Sequence, residues 1–186
     1  MTLLVAGVLL WSVAHFFPIV AVKQRSSLIS AIDAGPYKGL FALTIVASIV
    51  LMVLGWRASE FVAVYDSPSW ARHVTMLLML VAFLLFGASA YPSSIKRVLR
   101  HPMLSSVVVW GAAHLLSNGD QSSIILFGGL GLWALISIFL INKRDGEWEK
   151  PETGSIVRQI RGLVISVVIL VIVMFLHPYF TGIALF

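Results

Sequence analysis

The stretch "RHPMLSSVVVWGAAHLLSNGD", residues 100–120, contains the pattern that decides the fold. It begins with a cationic pair before a proline, continues as an apolar segment that contains one histidine, His114, and ends in Asn118, Gly119 and Asp120. Proline suits the first turn of a helix, and an Asn-Gly-Asp run is typical of a chain reversal. The stretch therefore predicts a short apolar helix with a basic start and a tight turn at its end.

The rest of the chain has the composition of a membrane protein. Of its 186 residues, 59% are hydrophobic and 11% are charged, whereas about 25% are charged in soluble domains. The mean hydropathy is +0.97. The lack of cysteine excludes disulfides, cysteine-ligated zinc, thiolate nucleophiles and covalently attached haem. No feature of the sequence indicates binding to nucleic acid, although the net charge is +5.

Six apolar segments predict an all-α, polytopic membrane bundle of about six transmembrane helices, since about 20 apolar residues cross a bilayer. With no linker and no appended soluble module, we expect one transmembrane domain over residues 1–186. The segments are residues 2–22, 39–56, 70–90, 103–117, 122–141 and 161–182.

The positions of the basic residues predict how the bundle is oriented. Of the 13 lysines and arginines, all but Arg57 and Arg72 fall in three alternate connections, residues 23–38, 91–102 and 142–161. Basic residues concentrate in cytoplasmic loops. We therefore expect a multi-pass protein of the inner membrane with both termini on the outer, periplasmic side.

The first of these connections, "KQRSSLISAIDAGPYKGL" at residues 23–40, predicts an additional short helix at the membrane interface. Glycine followed by proline commonly interrupts a helix. We therefore expect this helix to end at the pair Gly35 and Pro36, before the second span begins.

Two of the five histidines, His15 and His114, lie within predicted spans, where an ionisable side chain is costly and is a candidate for function. Two neutral imidazoles from two helices suit axial ligation of a b-type haem. The spans contain no aspartate or glutamate, which disfavours zinc and non-haem iron. An interhelical hydrogen bond explains the pattern equally well. His73 is a rival partner, because its predicted depth is closer to that of His114.

The remaining two histidines lie close to predicted membrane surfaces. His101 follows Arg100 at the inner surface, where the pair is expected either to bind an anion, a lipid headgroup or a haem propionate, or only to begin the helix on its basic side. His177 precedes Pro178 and Tyr179 and is expected to be an interfacial residue.

Three motifs, "VAHFFP" at residues 13–18, "WARH" at residues 70–73 and the opening stretch, resemble the NnrU family of bacterial integral membrane proteins. That family is associated with nitrite and nitric oxide reduction.

The spacing from the Arg-His-Pro turn to His114 is similar to that of the plant 15-cis-zeta-carotene isomerase, a haem enzyme of the wider family. The resemblance implies one b-type haem held by His15 and His114. It also implies contact with membrane lipid, and a lipophilic substrate or a redox partner. Gly111 replaces a cysteine of the isomerase, which excludes a cysteine-for-histidine exchange of ligands here.

Two alternatives remain open at this point. An Arg-His-Pro turn followed by acidic residues is also similar to membrane methyltransferases and sterol reductases, which bind a soluble cofactor there. Glu147, Glu149 and Glu152 are the acidic candidates, although the paired glutamates of that group are lacking. The other alternative is a membrane assembly protein without a cofactor.

Overall fold

The computed structural model describes residues 1–182 and 185, apart from the side chain of Phe180. This part of the chain is helical and forms no β-strand, only one isolated β-bridge. A short 3-10 helix, Ser94–Arg97, lies between α4 and α5. The α-helices are α1 (Thr2–Val20), α2 (Val22–Ile32), α3 (Ala34–Arg57), α4 (Ala71–Ala90), α5 (Pro102–Ser117), α6 (Gln121–Asp145) and α7 (Ile156–Thr181).

Five of the described helices, α1, α3, α4, α6 and α7, are long and apolar enough to cross a membrane. The helix α5 is apolar but has 16 residues, which corresponds to about 24 Å at 1.5 Å per residue. The prediction of an all-α membrane bundle is therefore confirmed, with α5 as a shorter sixth apolar helix. The outer location of both termini stays a prediction.

The boundary between α2 and α3 differs from the prediction. The helix α2 ends at Ile32, and Asp33 has a φ of 65°. The next helix begins at Ala34, so that Gly35 and Pro36 lie in its first turn. Proline is compatible with this position because the first turn does not use its missing N–H. The expectation that the glycine and proline pair ends α2 was wrong.

Small residues allow α1 and α3 to pack closely. A Cβ atom added at Gly55 would lie 2.2 Å from the backbone nitrogen of Leu4, and one added at Gly7 would lie 2.7 Å from Cγ of Met52. These contacts pair the start of α1 with the end of α3, so the two helices are antiparallel. Close backbone approach at small residues is the usual way in which membrane helices associate.

The remaining helices are arranged around α4 and α6. The helix α4 packs against α5 on one flank and against α7 on another, while α6 packs against both α1 and α5. The hydroxyl of Thr75 lies 2.9 Å from the carbonyl oxygen of Ala113, to which it donates, and 2.6 Å from Oγ of Ser117. This pair of polar contacts joins α4 to α5. A π-helical segment, Ile124–Gly128, widens the first turns of α6.

The connection between α3 and α4 docks on the turn between α5 and α6. The backbone N–H groups of Val64 and Tyr65 donate to the carbonyl oxygen of Gly119, at 2.8 and 3.1 Å. The N–H of Gln121 donates to the carbonyl oxygen of Val62 at 2.9 Å. A Cβ atom at Gly119 would lie 1.9 Å from the carbonyl oxygen of Tyr65. Glycine is therefore required for this close approach.

Candidate functional site

A cavity of about 760 Å³ lies between α3, α4, α5, α6 and α7. Its volume is in the range of small-molecule and cofactor sites, about 300–1,000 Å³. Most of its lining is apolar, and four of the chain's six methionines contribute to it. Methionine side chains adapt to irregular ligand surfaces. These four methionines are Met52, Met76, Met79 and Met174.

Several polar side chains of this cavity come from helix ends that lie together. Arg57 is the last residue of α3, Arg72 lies in the first turn of α4, and His177 lies in the last two turns of α7. Arg57 and Arg72 are exposed, and Nη2 of Arg72 donates to the carbonyl oxygen of Leu185. They are the two basic residues that depart from the predicted inner clustering of charge. We call the region where these helix ends meet the Arg57 end of the bundle.

His114 lines this cavity from α5 and is half-buried. Its Nδ1 lies 2.9 Å from the carbonyl oxygen of Trp110. Because a carbonyl oxygen only accepts, Nδ1 carries the proton, and Nε2 keeps a lone pair that can bind a metal. The ring stacks on Phe127 with centroids 4.2 Å apart and an interplanar angle of 19°. Its tautomer and its orientation are therefore both fixed by neighbours.

His15 has the same local arrangement in a different part of the bundle. Its Nδ1 lies 2.9 Å from the carbonyl oxygen of Trp11, which is four residues earlier. The ring lies 5.0 Å from that of Trp133 and 5.5 Å from that of Phe41, centroid to centroid. His15 is not among the residues that line the large cavity.

The ring contacts on α6 show that His15 and His114 lie at different levels of the bundle. His114 contacts Phe127, and His15 contacts Trp133, which follows six residues later in the same helix. Six residues correspond to about 9 Å along a helix axis. In the structure, the two imidazole rings therefore contact different side chains of α6. Ligation of one haem by both His15 and His114 stays a prediction.

His73 and the pair Arg100 and His101 also lie away from the large cavity. His73 is exposed, and the described lining of the cavity does not include it. His101 precedes α5, and His114 comes 13 residues later, which is about 20 Å along a helix. Neither Arg100 nor His101 is brought to the same cavity as His114.

Arg100 and His101 line a second cavity, of about 360 Å³, with Asn142 and Trp148. Nε2 of His101 lies 2.9 Å from Oδ1 of Asn142, and Nη1 of Arg100 donates to the carbonyl oxygen of Gly146 at 2.7 Å. The lining of this cavity does not include the candidate glutamates, which are exposed. They are Glu147, Glu149 and Glu152.

The candidate site contains residues that the sequence patterns did not single out. His177 was expected to be interfacial, which stays a prediction, and the structure places it in the lining of the same cavity as His114. Arg57 and Arg72 were noted only as exceptions in the charge pattern, and the structure places both of them in the lining of this cavity. Thr75 carried no sequence signal, because its role depends on the helix packed against it.

No group of three or more histidine, aspartate or glutamate side chains that could hold a metal ion occurs in residues 1–182. Side chains in this region therefore do not form a complete site for a bare zinc or iron ion, which usually needs three or four protein ligands. A haem brings four nitrogen ligands of its own, so one or two imidazoles are sufficient to hold its iron.

These features define a class, the multi-pass helical membrane proteins with a cavity between their helices that is lined by histidine. A sequence profile described as NnrU protein matches residues 3–185, and the chain belongs to the NnrU family. The resemblance indicated by the three sequence motifs is thereby confirmed. No curated protein and no solved structure matches the chain.

Proposed function

We propose that this NnrU family protein resides in the inner membrane and binds one b-type haem in the large cavity through His114. Its role would be linked to redox chemistry: electron transfer, sensing, or isomerisation of a lipophilic substrate. The association of the family with nitrite and nitric oxide metabolism supports the choice of a redox role. Electron transfer and sensing would need a redox partner, and isomerisation would need a lipid-soluble substrate.

The observation that carries this proposal is the geometry of His114. A half-buried imidazole lines an apolar cavity of about 760 Å³, and its Nδ1 proton is held by the carbonyl oxygen of Trp110. The lone pair of Nε2 is thus available for iron. A hydrogen bond from the second ring nitrogen is the arrangement that usually orients a histidine ligand. The donor set fits a haem and does not require a further acidic ligand.

The other residues of the cavity suit the two chemical parts of a haem. The methionine, tryptophan and phenylalanine side chains would cover the macrocycle and exclude water. Arg57 and Arg72, at the polar end of the cavity, match the two carboxylates of the propionates in charge. The bound haem would supply one-electron redox chemistry, and the protein would set its position and its electrostatic surroundings.

The proposal is tested by the optical spectrum of the purified protein and by haem extraction into pyridine. We expect a Soret band that shifts on reduction, with resolved α and β bands. His114→Ala should remove the haem or change its spectrum, whereas the matched control His73→Ala, at an exposed histidine outside the cavity, should change neither. A wild-type protein that is expressed with an adequate haem supply and contains no extractable haem would contradict the proposal.

The second cavity supports one alternative, an enzyme that binds a soluble cofactor at the Arg-His-Pro turn. Arg100 and His101 both line this cavity, and Trp148 offers an aromatic surface for a cofactor ring. Calorimetry with S-adenosylmethionine and with NADPH tests it, with Arg100→Gln as the variant that should lose binding. A protein that binds neither cofactor, holds no haem and copurifies with a stable partner would instead indicate a role in membrane assembly.

A further inference from the structure

We propose that an internal water molecule is bound between α1 and α6, where it bridges His15 to Trp11, Trp133 and Ser137. None of these four residues lines the large cavity, so this inference goes beyond the proposed haem site and does not depend on it. It gives His15 a role other than the ligation of iron that the sequence resemblance implies.

The first argument is that the four side chains lie together. The ring centroids of Trp11 and His15 are 4.3 Å apart, those of His15 and Trp133 are 5.0 Å apart, and those of the two tryptophans are 5.6 Å apart. Ser137 follows Trp133 by four residues on α6, so the two share one face of that helix. We call this group the His15 cluster.

The second argument is that the His15 cluster contains buried polar atoms without partners. Among the residues that the structure describes, no group forms a hydrogen bond with Nε1 of Trp11, Nε1 of Trp133 or Oγ of Ser137, and all three atoms are buried. The side chain of an indole can only donate. Buried polar groups in native proteins are nearly always paired with protein or with ordered water. These three atoms therefore need a partner that the neighbouring side chains do not supply.

Ser137 differs in this respect from other buried serines of the bundle. The hydroxyls of Ser48, Ser106 and Ser166 each donate to a carbonyl oxygen of their own helix, at 2.7 to 2.9 Å. The hydroxyl of Ser137 forms no such bond, although its residue is only 1% exposed. It is therefore available to a bound molecule.

The third argument is that His15 supplies an acceptor. The carbonyl oxygen of Trp11, 2.9 Å away, holds the proton on Nδ1, so the lone pair of the ring is on Nε2. A partner for the whole cluster must both accept and donate. It must also be neutral, because a charge within the spans is costly. Water accepts two hydrogen bonds and donates two, and internal waters typically form about three. The close ring contacts favour this smallest of such molecules.

The experiment detects the water directly by nuclear magnetic resonance of the full-length protein, labelled with ¹⁵N-tryptophan, in detergent. Trp11→Phe and Trp133→Phe assign the two indole N–H signals. In a rotating-frame measurement we expect a cross-peak between water and at least one of these signals, with the sign of dipolar contact and not of chemical exchange. His15→Phe removes the acceptor and fills its space, so this cross-peak should disappear.

Ser137→Ala is a milder variant that tests the same site. An unpaired hydroxyl would be lost without cost, whereas loss of a water-bridged hydroxyl should lower the Tm and weaken the cross-peak. Ser48→Ala is the matched control, because the hydroxyl of Ser48 is paired within its own helix, and it should change neither.

The absence of a dipolar cross-peak from both wild-type indoles overturns the proposal. A cross-peak that persists unchanged in His15→Phe and in Ser137→Ala overturns it as well, since that water would not be held by the cluster. If His15→Phe changes the spectrum of a bound haem, Nε2 of His15 binds iron and not water.

Discussion

The imidazole of His114 stacks on the ring of Phe127, with 4.2 Å between the centroids and 19° between the planes. Phe127 lies in the π-helical segment of α6 and is 8% exposed. One turn before His114, Gly111 faces the backbone of the same phenylalanine, since a Cβ atom there would lie 2.7 Å from its carbonyl oxygen. The orientation of His114 thus depends on how closely α5 approaches α6.

Gly111→Ala should destabilise the protein, because its new methyl group would overlap the carbonyl oxygen of Phe127. Overpacking of this kind costs about 1–3 kcal/mol. Gly131→Ala is the matched control, since its added Cβ would have no atom within 4 Å apart from those of its chain neighbours and its own helix backbone. Both variants gain helix propensity. Thermal unfolding in detergent should therefore show a lower Tm for Gly111→Ala alone, and equal Tm values for the two variants would contradict the close contact.

Thr75→Val should weaken the joint between α4 and α5 at nearly constant side-chain volume. The variant loses the contacts of the hydroxyl with Ala113 and Ser117, and an interhelical hydrogen bond in a membrane contributes about 0.6–2 kcal/mol. Thr44→Val is the control, because Oγ1 of Thr44 donates to Leu40 within its own helix. Unfolding free energies should fall only for Thr75→Val; an equal fall in both variants would argue against an interhelical role.

Exchange of Arg57 or Arg72 for glutamine should weaken haem retention without abolishing ligation by His114. A hydrogen bond between charged groups contributes about 1.5–3 kcal/mol, so haem should be lost roughly 10-fold to 100-fold more readily. The rate of haem transfer to an acceptor protein measures this loss. Lys23→Gln removes a positive charge in α2, outside the cavity lining, and should leave the rate unchanged. If both arginine variants transfer haem at the wild-type rate, then neither Arg57 nor Arg72 contacts a haem propionate.

Ionisation of Tyr65 should release the connection between α3 and α4 at high pH. Burial, and then the negative charge of Asp120, raise the pKa of Tyr65. Its neutral hydroxyl lies within hydrogen-bonding distance of the carbonyl oxygens of Leu115 and Asn118, and its single proton is shared between these two acceptors. A raised pKa means that the docked state binds the proton more tightly. The stabilisation is therefore complete below the ordinary pKa of about 10 and is lost as the pH rises through the raised value.

An ultraviolet titration of tyrosinate checks this prediction. The difference between the wild-type curve and that of Tyr65→Phe isolates the phenol of Tyr65, and its midpoint should lie above 10. A midpoint at or below the ordinary value would show that the phenol does not hold the loop in solution.

The orientation of the bundle can be measured directly because the chain contains no cysteine. A single cysteine in the connection between α3 and α4, Asp66→Cys, should react with a membrane-impermeant maleimide added to cells whose outer membrane has been permeabilised. Glu152→Cys, between α6 and α7, should react only after the inner membrane is lysed. Both sites are exposed. The reverse pattern of labelling would place the termini on the cytoplasmic side.

Most of the secondary structure could be predicted because the signals are local. Long apolar segments without charges must form helices in lipid, where unpaired backbone groups are costly. The predicted fourth segment, residues 103–117, matches α5, and the expected turn at Gly119 joins it to α6. The boundary at Asp33 was mispredicted, because Gly35 and Pro36 are equally compatible with the end of one helix and the first turn of the next.

The candidate site could be predicted only in part. His114 stood out because it is an ionisable residue within an apolar segment. His177 did not, because a histidine near the end of a span is also typical of an interfacial residue. The grouping of His114 with Arg57, Arg72 and His177 requires the ends of four helices to lie together. A single sequence carries no direct signal for that grouping.

The sequence by itself determined that this is an all-helical membrane protein of the NnrU family, since hydrophobicity, turn residues and family motifs act through each segment separately. The tertiary structure decided which side chains share a cavity. Helices in a bilayer gain little from burying one apolar face rather than another, so their lateral arrangement depends on close contacts at small residues. Here these contacts include Gly55 against Leu4 and Gly111 against Phe127. They place His15 among the aromatic rings of α1, α3 and α6, and His114 in the cavity with His177.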